Sequence, residues 1–234
     1  MSVPTTPGAG LWRRWVIAAS LGETLGFLVP VFAVVVGADG WDARSRYLAL
    51  VVAGAGEGAV LGAAQSRVLR LVLRGFSPGA WTLRTAFAAA LAWAIGLAPS
   101  ESAGTWQGWP VVAQVAVAVP AGLLLLGTIG TAQWTVLRRF VHGAARWIGW
   151  TSLAWLAGLT VFMVVATPLW QPRQPLWLTA VVGALAASLM ALAVAAITGW
   201  GLVQLVSTPP RGESGCRGTG PSALSTRARS APSL

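Results

Sequence analysis

"GTAQWTVLRR", Gly130 to Arg139, and "GAAQSRVLR", Gly62 to Arg70, decide how this chain is read. Each puts a glycine, then a glutamine three residues on, then arginine at the close of a long apolar run. An apolar helix that ends in arginines reads as one leaving a bilayer, because arginine snorkels to the headgroups and prefers the cytoplasmic side. The same spacing used twice also points to an internal repeat, which has to be tested before any fold is assigned.

Composition agrees with a bilayer solvent. The 234 residues are 56% hydrophobic and 9% charged, with a mean hydropathy of +0.69. Soluble domains carry about 25% charged residues, so this chain has too few to cover a surface in water. All of the +10 net charge comes from arginine, since the chain has no lysine. The arginines flank apolar runs, so they read as topology signals facing anionic headgroups and not as a nucleic-acid footprint. The expected partners are therefore the lipid bilayer and its anionic headgroups at the cytoplasmic face. Nucleic acid is not expected, and a homo-oligomer or another membrane protein is left open.

Six stretches reach the roughly 20 residues a helix needs to cross a bilayer: about Trp15–Val36, Tyr47–Leu73, Trp81–Ala98, Pro110–Val136, Trp147–Thr167 and Trp177–Val206. The first exceeds the usual signal-peptide core of about 7–15 residues and is expected to be retained. Arg13, Arg14, Arg67, Arg70, Arg74, Arg84, Arg138, Arg139, Arg146 and four tail arginines cluster on one side; Arg44, Arg46 and Arg173 lie on the other. The positive-inside rule then places both termini in the cytoplasm. Trp12, Trp15, Trp81 and Trp147 are expected at the inner interface, where an indole finds both apolar and polar neighbours.

The odd-numbered spans begin alike: "RRWVIAASLGETLGF" from Arg13, "GAWTLRTAFAAALAW" from Gly79 and "ARWIGWTSLAWLAGL" from Ala145. Trp15, Trp81 and Trp147 are each 66 residues apart. Near the inner ends of the even-numbered spans, Gln65 and Gln133 match, and Thr198 takes the third place. The expectation is an all-α, six-transmembrane-helix bundle over residues 1–206 built from three parallel two-helix hairpin repeats, about 11–73, 79–141 and 145–206. Residues 207–234, rich in Ser, Pro, Gly and Arg, read as a disordered cytoplasmic tail.

These segments resemble a set of poorly characterised bacterial multi-pass membrane proteins that repeat glycine, two residues, glutamine-tryptophan, two residues, leucine-arginine. Trp134 keeps the pattern; Ser66 departs from it. The resemblance covers most of residues 11–206 and implies a bacterial inner-membrane protein. It carries no activity with it.

Polar groups inside the spans each need a reason, because lipid offers them no partner. Gly54, Gly58, Gly62 and Ser66 are four apart on one helix face, and Gly22 and Gly26 make a similar step. Both read as packing seams, with docking on each other as the simplest arrangement. Gln65 and Gln133 read as interhelical or capping amides, or else as part of a polar ring around an inner vestibule. Glu23 lies eight residues after Trp15 and Glu57 eight before Gln65, so their depths match. The corresponding positions in the other hairpins are Ala89, Leu125, Trp155 and Met190. Glu23 and Glu57 are expected to face the interior with at least one protonated, either as packing groups or as proton or cation groups. Pro30 and Pro120 are expected to bend their helices.

No reaction emerges from these residues. The lone Cys216 sits in the tail and the lone His142 in a loop, and a phosphate loop would need the lysine this chain lacks. No enzyme activity, metal or cofactor is expected. The reading is a structural, regulatory or assembly protein; the alternative is a small proton, cation or solute channel or transporter using Glu23 and Glu57.

Overall fold

The computed structural model describes residues 7–37, 40–171 and 173–207. The tail expected to be disordered, with Cys216 and four arginines, lies outside the described residues from position 208 onward. Among the described residues every regular element is a helix: α1 (Pro7–Gly26), α2 (Leu28–Gly37), α3 (Ala43–Val72), α4 (Pro78–Glu101), α5 (Ala103–Trp106), α6 (Val111–Leu137), α7 (Arg146–Leu169) and α8 (Leu176–Val206). Six spans are long and apolar enough to cross a membrane, α1 and α2 together forming the first. The chain is a multi-pass membrane protein.

Local chemistry sets the boundaries. Asp42 caps α3 by accepting from the Ser45 N–H at 2.7 Å. Ser77 caps α4, with Pro78 at the first helical position, where its missing N–H costs nothing. The turns after α3 and α6 close on Gly75 and Gly143, whose φ of 71° and 69° favour a residue without Cβ. The first span parts at Phe27. Pro30 has no N–H to offer the Gly26 carbonyl, which ends α1 there. Pro120, by contrast, lies within an uninterrupted α6.

Each span packs on its neighbours in the chain, and α1 also meets α8, so the six close a ring in chain order. Small residues allow the approach. A Cβ at Gly58 would lie 2.8 Å from the Thr85 carbonyl oxygen, and one at Gly62 would lie 2.9 Å from the Thr82 Cα. At Gly130 it would lie 3.0 Å from the Ile148 Cα. The α3 glycine ladder therefore docks on α4. Gly22 and Gly26 rest instead on Leu61, Ala64 and Glu57 of α3. The two glycine faces do not meet each other as the sequence suggested, because α3 needs one face for each neighbour in the ring.

Candidate functional site

Two buried polar centres occupy the middle of the ring. The first closes its arginine-rich end. Trp15, Trp81 and Trp147 have no exposed surface at all. They point inward and stack, with ring centroids 5.7 Å (Trp15–Trp147) and 6.2 Å (Trp81–Trp147) apart. A buried indole N–H needs an acceptor, and each finds one on another span. Trp81 donates to Gln65 Oε1 at 3.1 Å, Trp147 to Gln133 Oε1 at 2.9 Å and Trp15 to Thr198 Oγ1 at 2.9 Å. Gln133 Nε2 in turn donates to Gln65 Oε1 at 2.9 Å and to Thr85 Oγ1 at 3.1 Å. Leu69, Leu137 and Leu202 pack beside the three rings in one fully buried cluster.

Thr198 is shorter than a glutamine and spends its proton on its own helix, donating to the Val194 carbonyl at 2.7 Å. Thr85 receives an amide proton from Gln133, but the corresponding Thr151 is left with an unpartnered hydroxyl. The polar network is therefore complete on the side of the glutamines and incomplete on the side of Thr198.

The second centre is a cavity of about 300 Å³. Glu23, Glu57, Ala89, Leu125, Trp155 and Met190 all line it, one residue from each of the six spans. These are the positions that matched in the sequence. Glu23 is 2% exposed and Glu57 5%. Glu57 Oε2 accepts from Trp93 Nε1 at 2.8 Å. Among the described residues, no donor other than the Glu57 carboxyl comes within hydrogen-bonding range of Glu23. Phe27, at the break in the first span, packs 6.4 Å from Trp93. Among the described residues, Glu23 and Glu57 are the only ionisable ones in the lining.

The four polar residues singled out in the sequence thus divide into pairs. Glu23 and Glu57 meet at the cavity. Gln65 and Gln133 meet in the arginine-rich end, about 12 Å away at 1.5 Å per residue, where both are buried. Sequence reasoning missed Trp93, Phe27 and Thr85. A tryptophan in the middle of a span was the available signal for the first, since its N–H has to find a partner away from water.

Arg84, one turn inside its span, donates from Nη1 to Thr135 Oγ1 of α6 at 2.8 Å. Arg138 lies 4.9 Å over the Trp134 ring, a cation–π contact. His142 is exposed on the α6–α7 turn. Comparison with protein families, curated proteins and solved structures finds no match to this chain.

Proposed function

We propose that the chain is a non-enzymatic inner-membrane bundle of three parallel hairpin repeats, both termini cytoplasmic, with a structural, regulatory or assembly role. The observation carrying this reading is the cyclic pairing at the arginine-rich end. The matched tryptophan of each unit donates to the polar residue near the end of the unit before it: Trp81 to Gln65, Trp147 to Gln133 and, closing the circle, Trp15 of the first unit to Thr198 of the last. Such a circuit follows from three units around an axis along the membrane normal. It also seals one end of the ring with stacked indoles, an unsuitable route for water or ions. The bacterial proteins with repeated glycine–glutamine–tryptophan segments are the group in which we would seek its relatives. Lipid headgroups are its constant partners, and a second copy or another membrane protein would use the outer faces of the spans.

One observation favours a second reading, a carrier of protons, cations or small solutes. The buried Glu23 carboxyl, which meets the Glu57 carboxyl and receives no other donor, lines a cavity, and intramembrane acids commonly mark ion pathways. Here Glu23 and Glu57 would hold the moving charge while Gln65 and Gln133 keep the far end shut. Proton flux into proteoliposomes separates the two. The sealed bundle predicts flux no greater than in protein-free vesicles. Flux that falls in both Glu23→Gln and Glu57→Gln would replace our reading with the carrier.

A further inference from the structure

We propose that the cavity between Glu23 and the α7 wall is a binding site for a hydrophobic organic cation, an ammonium carried on a compact aromatic or branched alkyl body. This goes beyond the sealed-bundle reading and does not depend on transport; its test reads binding and not flux, so the two stand or fall separately.

The acid side comes first. Glu23 is almost completely buried and neither of its oxygens receives a proton donor. Its facing neighbour Glu57 is a second carboxyl, already engaged through one oxygen by the Trp93 indole. Among the described residues, no arginine or histidine lines the cavity to balance them. The protein therefore supplies two acceptors and no counter-charge, an arrangement that costs free energy unless something positive or a proton completes it.

The remaining walls select what that is. A small metal ion needs about six oxygen ligands, and beyond the two carboxyls the lining is apolar. Four aromatic rings surround the space: Phe27 and Trp93 beside the acids, Trp155 and Phe162 on α7. Aromatic faces attract an ammonium without demanding that its full hydration shell be replaced by oxygen. The positions matching the glutamates in the other two hairpins are apolar, so charge is confined to one side. A ligand with a cationic head and an apolar body would be oriented by that difference. The volume of about 300 Å³ is at the small end of ordinary ligand pockets. Gly96 and Leu159 form part of the lining and are themselves exposed, which leaves the cavity a way to the outside.

Benzyltrimethylammonium and its neutral isostere neopentylbenzene, titrated calorimetrically into the full chain in lipid nanodiscs with empty nanodiscs subtracted, provide the test. The expected result is saturable binding of one cation per chain, weakened at least about tenfold in Glu23→Gln and in Trp155→Ala. Glu23→Asp should retain it. The isostere should bind weakly and equally to parent and Glu23→Gln. Absence of saturable cation binding overturns the proposal. So does equal affinity for cation and isostere, which would make the cavity a plain apolar pocket. This comparison needs only the parent protein, so it decides the matter even where Glu23→Gln does not fold.

Discussion

An indole N–H and an amide oxygen buried together are each a liability alone, and their pairing explains why glutamine is tolerated so deep in an apolar helix. Trp147→Phe keeps most of the ring packing and removes the donor to Gln133 Oε1. Interhelical hydrogen bonds in membranes average about 0.6 kcal/mol and reach about 1.7, whereas orphaning a buried acceptor costs about 1–3. Gln133 has no exposed route to another donor at 1% exposure, so a loss of about 1–2 kcal/mol is expected in denaturant unfolding from micelles. Trp200→Phe, at an exposed ring, should change stability by less than about 0.5 kcal/mol. Glycines sort by the same test of surroundings. Gly58→Val places new atoms against the Thr85 carbonyl, which is backbone and cannot step aside; a cost of about 1–3 kcal/mol or more follows. Gly122→Ala meets nothing within 4 Å and should be neutral.

Among the elements, helices were legible from apolar length alone, and their partners were not. The glycine ladder of α3 announced a close neighbour through its spacing, but spacing gives a face and no azimuth for the helix opposite. Only ring closure decides that α4 takes the ladder while α1 takes the Leu61–Ala64 side. Pro30 and Pro120 look alike in sequence, yet only Pro30 divides its span, beside Gly26, whose missing side chain lets it rest on the Glu57 backbone. The opposite end of α3 depends on a single cap. The Ser45 hydroxyl and then the Ser45 N–H hold the Asp42 carboxyl below its usual range. A lowered folded-state value means the cap contributes above the carboxyl's unfolded value and is lost as pH falls through the folded one. Asp42→Ala should therefore speed amide exchange in the first turn of α3 at neutral pH. The difference from the parent should vanish on acidification below the carboxylate range.

At the scale of the molecule, the outside is apolar, unlike that of a protein in water, and the interior combines an apolar core with buried polar groups. Phe32, Val52, Leu83, Phe87 and Val112 are more than half exposed, while the buried centre holds glutamates, glutamines and threonines. Apolar run length and the arginine pattern carried the first half of that arrangement in the sequence. The second half was only hinted at, because the direction of a side chain depends on where five other helices stand: Trp15, Trp81 and Trp147 stood out by their spacing, but nothing in it showed that they face the axis. Around them, Arg13, Arg14, Arg67, Arg70, Arg74, Arg84, Arg138, Arg139 and Arg146 are all exposed, against Arg44, Arg46 and Arg173 at the other end. That imbalance predicts orientation, since translocating the crowded end would carry many arginines across the bilayer. Gly79 and Gly108 mark the two ends, and a Cβ at either meets nothing within 4 Å, so a cysteine fits both without strain. With Cys216→Ser removing the native thiol, Gly108→Cys should react with a membrane-impermeant maleimide in intact bacterial cells. Gly79→Cys should react only after permeabilisation. The reverse pattern would put the sealed tryptophan end outside, and labelling of both from one side would mean that α4 does not cross the membrane.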